Sequence, residues 1–442
     1  MVYDPFTTKQ IPNHQEHVTS YWHSTADTLI TSELTSDITA DVLIIGSGYT
    51  GLSCANELVN GGISNVHVLE ANSIGWGCSS RNAGFVLPGS GRLGYQQMVN
   101  RFGQQQATLL HEQYLEAIDL LKANVKDTNT DVDQTENGYL KLAHSPKWFE
   151  KLKLNAEYLK NNFDYDVEVI ARQKFSDNFV DHQLAHGAIR YTNGFGINPL
   201  KLVNHYAKTC LAQGVTIHSN TPAHSIDKVN GQHVVRTPKG NITAQKVVIA
   251  TNGYTPSGFK TPITGKTLPV LTSVIVTRPL TPTELATSGF KTHQVMMDTR
   301  ELKYYYRLLP DNRILFGGRS AISGKASLNP KYQNRLLNEL KMSFVGLEKV
   351  NIDYSWTGWI AVAYDQMPHI FNTDNVIYYA TGYCGSGVSF SAWAGKLMAD
   401  MILDKKVTSP LMTPLPNFPF SPFRRIGQGF FYQYGRLKDW LQ

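Results

Sequence analysis

Apolar positions change their period several times along the chain, and each change marks an element. Residues 42–45 form an unbroken apolar run, as in a strand buried on both faces. Leu52, Ala55 and Leu58 then recur at helical spacing, and the pattern stops at Gly61 and Gly62. A second short strand, VHVLE, ends in Glu70. Two amphipathic helices are predicted next, one over residues 107–125 and one from Pro146 onward with Ser145 as its cap. A helix entered at Pro199 and ended at Gly214 leads into a meander of short alternating strands up to Ile249. Strand patterning returns between Leu268 and Gly318, and a helix is predicted over residues 329–344. The last third closes as strand, glycine-rich turn and helix over residues 375–404. Residues 1–40 are polar and aromatic by turns and read as an arm lying on the body. The alternation of strands with helices places the chain in the α/β class.

The turn between the first strand and the first helix reads GSGYTG, with Gly46, Gly48 and Gly51 in G-x-G-x-x-G order. The first glycine permits the tight turn, the second lets backbone approach a pyrophosphate, and the third lets the helix lie close to the strand. The helix N-terminus then offers its free N–H groups to the phosphates. Glu70 stands roughly 20 residues on, where an acid accepts the ribose hydroxyls. Strand, glycines, helix, strand and terminal acid in that order specify a dinucleotide site. Glu70 would repel a 2′-phosphate, which disfavours NADP and leaves FAD and NAD.

Composition narrows the setting. A chain of 442 residues exceeds one simple core and suits two domains. The net charge of +6 is mild and scattered, so nothing calls for nucleic acid, while a modest positive field would attract an anionic substrate. Cys54, Cys78, Cys210 and Cys384 lie far apart without a C-x-x-C pair. That pattern predicts reduced thiols in a cytoplasmic protein, with no disulfide framework and no metal site. The N-terminus carries no signal peptide pattern, and no apolar run approaches a membrane span.

Further motifs follow the glycine stretch in order: GWGCSSRNAG, VVIATNGYTP, YYYRLLPDNRILFGGR and YYATGYCGSGVSFSAWAGK. Together they resemble the D-amino acid oxidase/sarcosine oxidase superfamily of FAD enzymes over about residues 41–404. The arm TSYWHSTAD and the tail PFRRIGQGFFYQYGRLKDWL are similar to the gamma-glutamylputrescine oxidase branch. The resemblance implies a Rossmann-like FAD-binding domain, discontinuous over residues 41–95, 185–260 and 355–410. An α+β substrate domain with a mostly antiparallel sheet, residues 96–184 and 261–354, is inserted into it. Residues 1–40 form the arm, and residues 411–442 a tail packing on the body. By the same resemblance Ser80, Arg81, Asn82 and Gly84 line the flavin groove, with Asn82 bonding the flavin edge and Gly84 admitting backbone to the ring. Ala223 passes the adenine, and Thr251, Asn252 and Gly253 form a turn bordering the cofactor. Gly385, Gly387 and Val388 open a helix whose N-terminus favours negative charge at the flavin. Relatives with covalent FAD carry a cysteine near Gly358 or a histidine near Arg81. Neither stands there, so FAD is expected to be non-covalent.

The implied reaction takes a hydride from a carbon beside nitrogen to flavin N5, giving an imine that water hydrolyses to an aldehyde. O2 or another acceptor then reoxidises the cofactor. The amine must arrive neutral, which an aromatic pocket favours by desolvation. Tyr383, Trp356, Tyr306 and Arg307 are the pocket candidates, and no catalytic acid or base is named. Two departures shape the substrate. Members acting on α-amino acids carry Arg-Pro-Gly where this chain has Trp356, Thr357 and Gly358, and an arginine there clamps a carboxylate. Sarcosine-type members place a lysine in the loop that here reads GYCGSGVSF. Both absences argue against a carboxylate beside the reacting carbon and leave Arg307 and Arg319 as grips for a distant one. Gamma-glutamylputrescine or a similar polyamine derivative fits. A D-amino acid dehydrogenase and a sarcosine-type N-methyl amino acid oxidase are the alternatives. RILFGGR lacks the lysine that speeds reaction with oxygen in sarcosine-type oxidases, so oxygen need not be the best acceptor. The basic, aromatic tail is expected to pack on its own protein or on a second copy in a homo-oligomer rather than on a membrane.

Overall fold

A computed structural model describes residues 2–126 and 130–441. The first residue of the arm, the last of the tail and residues 127–129 of the inserted region fall outside it. Two large sheets organise the described residues. The first runs in the order His369–Thr373, Ile377–Thr381, Asn241–Ile249, Ile38–Ile45, Val66–Leu69 and Thr216–His218. Its strands are parallel from Ile377–Thr381 to Thr216–His218, and His369–Thr373 is an antiparallel edge. Val42, Leu43, Ile44 and Ile45 are all buried, as a two-sided central strand requires. The meander read from sequence is present only in part. Ser225–Val229 and Gln232–Arg236 pair antiparallel in series with Asn241–Ile249, but that last strand also runs parallel to Ile38–Ile45 and is central.

The second sheet has the order Ile352–Ala363, Thr267–Thr277, Ile314–Arg319, Tyr305–Leu308, Val295–Asp298, Tyr139–Leu142, Gly187–Tyr191 and Glu168–Ala171. It is antiparallel except where Val295–Asp298 lies parallel to Tyr139–Leu142. Two stretches depart from the residue ranges expected of the parts. Gly187–Tyr191 and all of Ile352–Ala363 pair into this second sheet, because their partners are its strands and not those of the nucleotide sheet.

Local signals set the helices. Pro146–Phe163 begins at Ser145, whose hydroxyl accepts the Trp148 N–H at 3.4 Å. Pro199–Ala212 begins at Asn198, whose side chain accepts the N–H groups of Leu200 and Lys201. Tyr49–Asn60 and Gly387–Ile402 lie against each other, with the Ser53 hydroxyl donating to the Ala392 carbonyl at 2.8 Å. The arm is tied down over the first sheet: Tyr3 donates to the Tyr254 carbonyl at 2.6 Å, and the Trp22 indole to the Asn82 carbonyl at 2.9 Å. The tail folds as the helix Arg424–Trp440. Asp439 accepts the N–H groups of Glu301 and Leu302, and Tyr432 is buried. The opposite face exposes Phe430 and Trp440. Among the described residues no helix is long and apolar enough to cross a membrane.

Candidate active site

The glycine turn closes against the strand that follows it in space. Gly46 has φ +110°, a conformation that only glycine adopts freely. A Cβ on Gly51 would overlap the Gly46 carbonyl oxygen, so the helix lies directly on the turn. This contact opens a long groove. Glu70 and Ala223 line one end, and Gly46, Gly48, Thr251 and Asn252 its middle. Asn82, Gly385, Gly387 and Val388 line the other.

Two helices start on this groove. Neither Gly48 nor Ser386, their caps, gives a side-chain cap, and neither first turn holds an acid. The Ser79 hydroxyl takes the Tyr49 N–H at 3.1 Å, and the remaining first-turn donors are free for an anion. Glu70 accepts the backbone N–H and hydroxyl of Ser47 at 3.1 and 2.7 Å, and the Asn72 N–H at 3.1 Å. Burial holds its carboxyl above the ordinary range, opposed by those bonds. A groove with apolar and aromatic walls, onto which two helix N-termini without side-chain caps open, fits FAD: pyrophosphate at the first, the anionic flavin edge at the second.

Several residues expected on this groove do other work. Gly51 lies beneath it. Ser80 is fully buried with no hydrogen-bond partner among the described residues and lines no part of it. A Cβ on Gly84 would overlap the Ile197 carbonyl, so this glycine admits the chain at Ile197. A Cβ on Gly253 would press on the backbone at Ile360. The Asn82 amide is spent inside its own loop, donating to the carbonyls of Cys78 and Ser79 while its oxygen accepts the Gly84 N–H. Arg81 lies over Trp76 at 4.4 Å and lines a second cavity instead.

That second cavity joins the groove through Cys78, Asn82, Ile360, Cys384, Gly385 and Val388, which line both. Its volume is about 290 Å³. Its other wall is the second sheet, through Tyr139, Lys141, Tyr191, Thr272, Met297 and Tyr305. Five cations reach it, Arg81, Arg92, Lys141, Lys303 and Arg319, and among the described residues no aspartate or glutamate lines it. Burial, then the charges of Arg92, Lys141 and Arg319, push the Lys303 ammonium down to about 7. Burial also lowers Lys141. Burial pushes the Cys78 thiol up to about 11 and that of Cys384 to about 12.

Of the pocket candidates, Tyr383 lines the groove, with its hydroxyl 3.0 Å from that of Thr50. The other three do not line either cavity. Trp356 donates to the Arg81 carbonyl at 2.8 Å. Tyr306 is stacked between Phe316 and His182 in the second core. Arg307 lies over Trp22 and donates to the Ile197 carbonyl at 2.6 Å, and burial pushes its guanidinium down to about 10. Alternation turns Tyr306 away from Tyr305 into the second core, whereas Arg307 shares the face of Tyr305 but is covered there by Trp22 and the Ile197 carbonyl. Arg319 does reach the cavity. Arg92, Lys141, Lys303, Tyr139 and Tyr191 were not singled out from sequence. The one signal was Lys141, a cation inside the apolar strand YLKL, which in isolation reads as a solvated face.

The family described as FAD dependent oxidoreductase matches residues 41–401. The chain is 30% identical to the gamma-glutamylputrescine oxidoreductase of Escherichia coli (strain K12), over 96% of this chain and 99% of that protein. It is 32% identical to a probable oxidoreductase, OrdL, of Haemophilus influenzae, over 88% of this chain and 89% of that protein. Among solved structures, glycine oxidase from Geobacillus kaustophilus superposes with a TM-score of 0.71 at 19% identity, covering 86% of this chain and 100% of that one.

Proposed function

The chain belongs to the FAD dependent oxidoreductase family, and on that premise we propose that it oxidises a C–N bond of a long amine, gamma-glutamylputrescine or a similar polyamine derivative. FAD, when bound, supplies the hydride acceptor. The observation that carries the reading is the junction of the two cavities at Asn82, Cys384 and Gly385. A substrate in the second cavity has its reacting end at the flavin end of the groove and its other end among the cations. Cations around the cavity disfavour a second positive charge, so the amine enters neutral and keeps the lone pair that assists hydride loss. The aromatic wall of Tyr139, Tyr191 and Tyr305 excludes water from the reacting carbon. Trp356 stands where an amino-acid oxidase would place its arginine, and its indole is bonded to the Arg81 carbonyl, so it grips no carboxylate. The buried thiols of Cys78 and Cys384 stay protonated at neutral pH and are poor nucleophiles, in keeping with non-covalent FAD.

The experiment is an anaerobic titration of the purified holoenzyme, following the flavin band near ~450 nm. Gamma-glutamylputrescine, putrescine, sarcosine and D-alanine are added in turn. Bleaching by the first supports the reading, and admitting air then shows whether oxygen reoxidises the cofactor. Bleaching by D-alanine alone would overturn it.

A further inference from the structure

Outside the residues that cradle the cofactor, a group of cations with little counter-charge among the described residues sits in the second cavity. Arg92, Lys141, Lys303 and Arg319 come from four separate segments and line one space. Lys141 stands in register with Met297, which in turn faces Tyr305, so the lysine is a member of the sheet wall and not a surface side chain. Lys303 has Arg92, Lys141 and Arg319 as charged neighbours. Among the described residues Lys141, Lys303 and Arg319 make no ion pair. The nearest acid, Glu301, is committed at both oxygens, to Arg92 at 3.3 Å and to Lys438 at 2.8 Å. Four cations out of bulk water with one shared acid between them are costly, and an anion that enters beside Lys141, Lys303 and Arg319 relieves that cost. The planar guanidinium groups of Arg92 and Arg319 suit a carboxylate.

The same cavity has no counter-charge for an ammonium among the described residues: no aspartate or glutamate of these lines it, and Glu301 is already bridged between two cations. A glutamyl tail carries a carboxylate and an ammonium on one carbon, and here the second charge would face four cations.

Resting on the amine-oxidation reading, we infer that Arg92, Lys141, Lys303 and Arg319 form a carboxylate subsite, and that the preferred substrate is an amine whose far end bears a carboxylate with no ammonium beside it. The reacting amine and this carboxylate are then at opposite ends of one molecule, with an uncharged spacer along the tyrosine wall. The reaction that supplies such a substrate is the acylation of one end of a diamine by a dicarboxylic acid.

Two measurements on the holoenzyme test this, one of turnover and one of binding. Three putrescine amides are compared: gamma-glutamylputrescine, glutarylputrescine, which lacks only the ammonium, and pentanoylputrescine, which lacks both charges. The expected kcat/KM for glutarylputrescine exceeds that for pentanoylputrescine by about 30-fold or more, and equals or exceeds that for gamma-glutamylputrescine. Parity of glutaryl and pentanoyl compounds would overturn the subsite, and a clear preference for gamma-glutamylputrescine would overturn the exclusion of the ammonium. Binding of glutarate alone is followed by calorimetry. Binding to the wild type, weakened about tenfold or more in each of Arg319→Met and Lys303→Met, supports the assignment. Absent binding, or binding indifferent to both substitutions, overturns it. Because glutarate needs no chemistry, a protein that bleaches with none of the three amines fails the oxidation reading while the subsite is still decided.

Discussion

The dinucleotide groove and the cationic cavity meet at Cys78, Asn82 and Cys384, yet they are built on opposite principles. What the groove offers a charged ligand is backbone: two helix N-termini without side-chain caps, set between apolar and aromatic walls. The one acid among the described residues that line it, Glu70, is held by Ser47 and Asn72. What the cavity offers is side chain: the cations of Arg92, Lys141, Lys303 and Arg319, which four distant segments bring to one space. The first is a local device that any ligand with a pyrophosphate can use. The second is specific to this chain, because its character changes with any one of its side chains. The two should therefore fail separately, cofactor retention in one and substrate choice in the other.

The largest expected effect breaks the groove. Gly51→Val would drive a branched side chain into the Gly46 carbonyl, where backbone cannot give way cheaply. Overpacking of this kind costs roughly 1–3 kcal/mol or more. The protein should lose its yellow colour on gel filtration, read as flavin absorbance per protein, and a variant that retains full flavin would show that the close contact is dispensable. A charge reversal in the cavity should act on the other side of the comparison. Lys303→Glu supplies the missing acid, so kcat/KM for a carboxylate-tailed amine should fall by about 100-fold or more, with a shift toward amines whose tail is cationic. Flavin content should hold, and its loss would mean that the two regions are not independent.

A smaller effect follows from protonation. Lys303 titrates at about 7 among Arg92, Lys141 and Arg319, with Glu301 the one acid felt there. Its charge is present below that value and lost above it. Glutarate should bind more weakly at about pH 8 than at about pH 6, by less than tenfold, with proton uptake on binding near neutrality. Lys303→Met should flatten that dependence. The smallest effect concerns the arm where it meets Arg81. Burial pushes His17 down to about 3 and His23 to about 4, so both are neutral in the folded chain and protonate more readily when unfolded. Their contribution is present above about pH 6.5, the unfolded value, and is lost as pH falls through the folded ones. Replacing His23 by Asn should make the fall in thermal midpoint between about pH 6.5 and about pH 4.5 shallower. An unchanged slope would assign acid sensitivity to other buried imidazoles.

Legibility followed the same division. Gly46, Gly48 and Gly51 sit within a few residues of each other, and their spacing dictates a turn whatever surrounds it. Ser145 with Pro146, and Pro199 after Asn198, likewise announce helices from adjacent residues. Arg307 and Arg319 could not be told apart in this way. Both are arginines in one strand-rich stretch, and the pairing of Tyr305 with Gly317 and Arg307 with Leu315 puts them on one face of the sheet; the arm's Trp22 and the Ile197 carbonyl cover Arg307, whereas Arg319 lines the cavity. The contact that uses the missing side chain of Gly84 was illegible for a related reason: its partner, Ile197, lies far along the chain.

By itself the sequence determined a dinucleotide site, its first helix and acid, an α/β chain with an inserted sheet, and the family to which these motifs belong. Those features depend on neighbours in the chain, where propensity, capping and turn chemistry act at short range. Tertiary structure alone decided that Arg92, Lys141, Lys303 and Arg319 share one cavity, that Tyr306 and Arg307 do not, and that Glu301 is already engaged. Such facts depend on strand register, which turns Tyr306 from the face of Tyr305, on the arm segment that covers Arg307, and on charges brought close across long loops.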